Sequence, residues 1–160
     1  MHIVLKHTPN RAASLFDRVV AKVIKYVLNS NYFHSGVVID GFLYHSDFGV
    51  GLTKEPFNNE GNWDLFYCGT EDDSKVIKQF NNRLKAAGGH VGYDWFSLFA
   101  FTPLFLIAKL FKSDITYVKW LYCFEWNLEV LTQQSTKTKV TPEKVLIAYI
   151  KKYGNNYGKQ

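Results

Sequence analysis

His34-Ser35-Gly36-Val37-Val38-Ile39-Asp40-Gly41-Phe42-Leu43-Tyr44-His45-Ser46-Asp47 is the stretch whose reading decides the fold. Two apolar runs flank Asp40-Gly41, a dipeptide that supplies the positive φ angles of a two-residue hairpin turn. Such a turn sets Ile39 against Phe42, Gly36 against His45 and His34 against Asp47. Partners across a ladder share a face and faces alternate along each strand, so His34, Gly36, His45 and Asp47 project to one side. His45 is then a diagonal neighbour of His34 at roughly 7–8 Å between backbones. Two imidazoles and a carboxylate converge on this register alone.

Upstream of the hairpin, residues 3 to 5 read as a short strand. Residues 12 to 28 read as an amphipathic helix, with Phe16, Val19, Val20, Val23, Ile24 and Val27 on one face and Arg18, Lys22 and Lys25 on the other. Downstream, Gly49, Gly51, Pro56, Asn58, Asn59 and Gly61 read as a loop, followed by a third strand over 63–68. Helical spacing resumes over 74–87 with Ser74 as its cap, and Gly88-Gly89 ends it. Asp94 reads as the cap of a next helical segment, with Tyr93 an aromatic at the edge of the core. A further helix carries Trp120, Phe124, Leu128 and Leu131, and Thr141-Pro142-Glu143 opens the last one with proline in its first turn. The tail from about residue 154 reads as loose. Strands clustered before helices point to an α+β fold with an antiparallel sheet packed against helices.

The 160 residues fit a single domain, 1–160, able to bury a core without disulfide staples. With only Cys68 and Cys123, a disulfide framework is excluded and a reducing compartment is the expectation. The first residues lack the apolar run of a secretory signal, so the expected location is cytoplasmic. Net charge is +5, spread over separate lysines, and no dense basic run calls for nucleic acid. The stretch 95–108 is uncharged over 14 residues, short of the roughly 20 that span a bilayer, and Pro103 interrupts it. Peripheral membrane or lipid contact through 95–111 is its alternative use, beside a buried helical hairpin.

Chemistry enters at Tyr122-Cys123-Phe124-Glu125-Trp126, where the cysteine stands at or near a helix start. Helix N-termini favour a thiolate, and an adjacent imidazolium favours it further, down to pKa values of about 3.5–7.5. A cysteine in an aromatic helix is also an ordinary packed residue. Cys68, inside the strand Leu65-Phe66-Tyr67-Cys68, reads as packed.

Several segments together resemble the circularly permuted NlpC-type branch of the papain-like cysteine peptidases and amidases. Tyr32-Phe33-His34-Ser35-Gly36-Val37 is similar to that family's histidine strand, and Leu43-Tyr44-His45-Ser46 to the strand bearing its third polar residue. Gly49-Val50-Gly51 is similar to its glycine-valine turn, Gly92-Tyr93-Asp94-Trp95 to its Gly-x-x-Tyr-Asp motif, and Tyr122-Cys123-Phe124-Glu125 to its nucleophile motif. Two positions depart. Phe124 replaces a small residue, and His45 stands where many bacterial members carry Glu, although lecithin retinol acyltransferase-like relatives use His there.

The resemblance implies a papain-like fold, bacterial or phage origin, and a hydrolase that cleaves an amide through a thioacyl enzyme, with peptidoglycan stem peptides among its substrates. Cys123 is then the nucleophile, His34 its base, and His45 the orienting third member with Asp47 in reserve. Tyr122, Phe124 and Tyr93 are groove candidates. No cofactor and no metal are expected. The partner is a peptide or acyl substrate, and the oligomeric state is open. A lipid acyltransferase or deacylase with the same Cys-His-His site, a catalytically inactive binding or assembly module, and a zinc site of His34, His45 and Cys123 are the alternatives.

Overall fold

The computed structural model describes residues 1–10, 12–60, 62–93, 121–134 and 140–154. In chain order the elements are β1 (His2–Lys6), α1 (Leu15–Leu28), β2 (His34–Ile39), β3 (Phe42–Asp47), β4 (Gly51–Pro56), β5 (Trp63–Tyr67), α2 (Asp73–Ala86), α3 (Cys123–Thr132) and α4 (Pro142–Tyr153). The architecture is α+β. The five strands form one antiparallel sheet in the order β4-β3-β2-β1-β5.

The hairpin forms as its turn dictates. Asp40 and Gly41 both have positive φ, 49° and 77°, and the register places Ile39 against Phe42 and Gly36 against His45. Gly36 is required there, because a Cβ would lie 2.5 Å from Leu43 Cδ1 and 3.0 Å from His45 Cβ. Between β3 and β4 a second constraint operates. Leu52 N–H donates to the Val91 carbonyl at 2.8 Å, and a Cβ on Gly51, φ 81°, would lie 1.9 Å from that oxygen. Only glycine lets 91–92 approach the strand so closely.

Both faces of the sheet are covered. On one, Ile3, Leu5, Val37, Ile39 and Tyr44 pack against Phe124, Trp126 and Val130 of α3, with Val145 and Tyr149 of α4 and Phe80 of α2. Trp126 is fully buried and donates its indole N–H to the Tyr44 carbonyl at 3.0 Å, locking α3 onto β3. On the other face Val4, Val38 and Leu43 form a smaller cluster with Phe57, Trp63 and Leu65.

Several expectations are corrected. Residues 51–56, read as loop from their Gly, Pro and Asn content, form the edge strand β4 paired along all of β3. Pro56 is accepted there because it ends an edge strand. The strand at Trp63 is therefore the fifth, and it ends at Tyr67. Asp72, not Ser74, is the N-cap position of α2. Helix α1 starts at Leu15, after a Ser14–Asp17 capping box, and is rotated from the expected face. It buries Ala21, Ile24 and Leu28, whereas Phe16 is 61% and Val19 50% exposed. Thr141 caps α4 and Pro142 is its first residue, as read. Asp94, the stretch 95–111, Trp120 and the tail beyond 154 lie outside the described residues. No helix among the described residues is long and apolar enough to cross a membrane.

Candidate active site

The β2–β3 register delivers the two histidines to one another. His34 Nε2 lies 2.7 Å from His45 Nδ1, with the rings edge to face. Asp47 joins them, and one ligand-type atom from each of the three lies within 4.8 Å of the others. The shared face expected from the turn is therefore present in space. Of the two candidates for the orienting role, His45 is the one in hydrogen-bond contact with His34.

A residue missed in the sequence completes the row. Glu55 of β4 places Oε1 3.2 Å from His45 Nε2, an ion-pair contact, and that buried nitrogen makes no hydrogen bond to Glu55 or to any other described residue. The signal lay in β4 itself: with Asp47 opposite Gly51, His45 stands opposite Thr53 and Leu43 opposite Glu55, so Glu55 is the diagonal neighbour of His45. Reading 49–61 as loop concealed it.

Both imidazoles are held neutral. Burial lowers the pKa of His34 well below 6.5, assisted by His45 and by the charge of Lys6, and lowers that of His45 to about 4 with help from Lys6. Lys6 pairs with His34 across β1 and β2 and sets its ammonium 4.7 Å above the Trp63 ring. Its own pKa is lowered, first by burial. Burial likewise raises that of Asp47. These groups face a cleft of about 430 Å³ bordered by Lys6, His34, His45, Asp47, Trp63 and Tyr93.

Cys123 is the first residue of α3, as its sequence position implies. Tyr122 precedes it in extended conformation, and the Tyr122 backbone N–H donates to Glu125 Oε2 at 3.3 Å. Its side chain is fully buried. Tyr93 Oη lies 3.9 Å from the sulfur, and the Ser35 hydroxyl, buried and lacking a well-formed hydrogen bond, is turned toward it together with the Ser35 and Phe124 backbone N–H groups. Burial outweighs these donors and pushes the thiol up to about 12. The thiolate expected from the helix start is thus overruled by desolvation.

His34 and Ser35 are consecutive at the start of β2, so the strand presents one to the cleft and the next to the sulfur. No hydrogen bond joins Cys123 to His34 or His45 among the described residues. Tyr93 links the two in space, since it lines the cleft and its hydroxyl lies 3.9 Å from the thiol sulfur. Tyr122 and Phe124 are fully buried and so are core residues of this structure, with Tyr122 Oη donating to the Val140 carbonyl at 2.8 Å. They do not line the cleft. Cys68 is buried next to β5, its thiol pushed up to about 11 chiefly by burial.

Compared with known protein families and with curated proteins, the chain matches none.

Proposed function

We propose that the chain is a cysteine hydrolase that cleaves an amide, with Cys123 as nucleophile and His34 as base. The observation that supports it is the start of β2. There His34 has Nε2 tied to His45 and Nδ1 free of any hydrogen bond among the described residues, and Tyr93, which lines the same cleft, sets its hydroxyl 3.9 Å from the Cys123 sulfur. Nδ1 is the nitrogen left to take a proton.

The chemistry follows. As the sulfur attacks the substrate carbonyl carbon, its proton passes to His34 Nδ1; the C–N bond then breaks and the amine leaves with that proton. Water attacks the thioester, gives a proton to His34 and releases the acid, and His34 returns the proton to sulfur. Because both partners rest neutral, proton transfer accompanies attack instead of preceding it. The step requires the sulfur to reach the cleft that His34 faces, with Tyr93 displaced by the substrate. A peptide is the substrate class that the sequence resemblance implies, with the peptidoglycan stem peptide as its bacterial or phage form.

An acyl substrate is the second reading, in which the same residues act on a lipid ester. It is favoured by α1, which exposes Leu15, Phe16, Val19, Val23 and Tyr26 while its opposite side borders the cleft through Val20 and Ile24. Turnover of a peptide amide against a fatty-acyl ester, each compared in wild type and Cys123→Ala, separates the two. Loss of both activities in the variant assigns the nucleophile, and turnover retained in the variant removes it. Metal analysis of the purified protein decides the zinc alternative. In this structure the two imidazoles bond to each other.

A further inference from the structure

We propose that Glu55 is a positioning residue of this site, which fixes through His45 the nitrogen of His34 that serves as base. The inference rests on the reading of His34 as base given above, and it concerns a residue of the edge strand β4 to which that reading assigns no part.

A neutral imidazole carries one N–H and one lone pair, and which nitrogen holds which is set by what each nitrogen meets. At 2.7 Å, the His34 Nε2 to His45 Nδ1 contact needs one donor and one acceptor, so two arrangements are available. In the first, His34 Nε2–H donates to His45 Nδ1, His45 carries its own proton on Nε2, and His34 Nδ1 holds a lone pair. In the second, His45 Nδ1–H donates to His34 Nε2, His34 is protonated on Nδ1, and no basic nitrogen of His34 remains free. The two differ in whether the site has a base.

Glu55 selects the first. Its carboxylate accepts hydrogen bonds and donates none, and it stands 3.2 Å from His45 Nε2. That nitrogen is buried and has no hydrogen-bond partner among the described residues, the Glu55 contact lying within ion-pair distance but out of line for a hydrogen bond, so the negative charge of the carboxylate is what favours the proton there. With His45 protonated on Nε2, its Nδ1 accepts and His34 Nε2 donates. The lone pair then falls on His34 Nδ1. The carboxylate of Glu55 is half-exposed whereas His45 is buried, so the row runs from the surface of the sheet edge inward to the base. When His34 becomes an imidazolium during attack, the same polarised row stabilises it.

The test is the tautomer itself, read from histidine side-chain ¹H–¹⁵N correlation spectra of the full chain at neutral pH, with signals assigned from His34→Asn and His45→Asn. The expected wild-type result is a proton on Nε2 of both rings. Glu55→Ala should move His45 toward the Nδ1–H form, changing the tautomer ratio by about fivefold or more, the upper scale of a partly exposed charge contact. Glu55→Gln, which removes the charge and keeps the shape, should shift the tautomers in the same direction and so separate this role from a merely structural one. An Nδ1–H signal for either ring in the wild type, or spectra unchanged in Glu55→Ala, overturns the inference. Because the readout needs no substrate, it stays distinct from the hydrolase reading. Tautomers that switch as expected in a protein that turns over no ester or amide uphold the role of Glu55 and count against that reading instead.

Discussion

His34 Nε2 and His45 Nδ1 stand 2.7 Å apart on neighbouring strands, a hydrogen bond set by a turn that lies four residues from His45 and six from His34. A two-residue turn cannot be lengthened without slipping the register and turning one of the rings to the other face. The contact is therefore a direct expression of Asp40-Gly41, and its neutrality is an expression of burial. Three measurable consequences follow from the register and from the burial of the site.

The first concerns acid. Burial depresses both imidazole pKa values, so the folded protein resists protonation that the unfolded chain accepts. The unfolded state then binds more protons as pH falls below about 6.5, and stability declines with it. For His45 the drop from 6.5 to about 4 corresponds to about 3 kcal/mol, lost progressively over that window and constant below it. Denaturant titrations between pH 7 and 4 should show this decline, reduced in His45→Gln. For activity the usual histidine limb keeps its sign and is displaced to lower pH. A base with a depressed pKa stays unprotonated, so kcat/KM should hold level from pH 7 to below 6.5.

The second concerns Tyr93. Its ring lines the cleft and its hydroxyl lies 3.9 Å from the Cys123 sulfur, shielding a fully buried thiol. Tyr93→Ala should speed alkylation of Cys123 by iodoacetamide by about tenfold or more, as access and thiolate character both rise. Tyr93→Phe keeps the shield and should leave the rate within about threefold of wild type. Mass spectrometry of the two cysteine peptides measures both.

The hairpin, its register and the convergence of His34, His45 and Asp47 were legible in the sequence, because a two-residue turn leaves one pairing. The start of α3 at Cys123 and the Thr141-Pro142 cap were legible for the same local reason. What failed depended on tertiary context. β4 has one strand neighbour among the described residues and reads Lys54-Glu55-Pro56, polar and proline-ended, so its pairing is invisible locally, and Glu55 was lost with it. The orientation of α1 was misread because Phe16, Val19 and Val23 obey helical spacing yet face outward. The helix-start argument for a thiolate at Cys123 omitted desolvation, which depends on how completely the core closes over the sulfur.

The third consequence concerns Gly36. A methyl group there meets Leu43 Cδ1 at 2.5 Å and His45 Cβ at 3.0 Å. Gly36→Ala should destabilise the fold by about 1–3 kcal/mol, the usual scale of overpacking. It should also disturb the His34–His45 bond. Chemical denaturation checks the first effect, and histidine side-chain spectra check the second.

The central claim, that Cys123 attacks a carbonyl with His34 as base, is tested most directly by trapping the acyl enzyme. Incubated briefly with p-nitrophenyl acetate and analysed by peptide mass spectrometry, the wild type should carry one acetyl group on Cys123. His34→Asn should acetylate about a hundredfold more slowly, at the lower end of what general-base assistance contributes. Acetylation of Cys68 in preference to Cys123, or of Cys123 at the same rate with and without the His34 imidazole, would contradict the account.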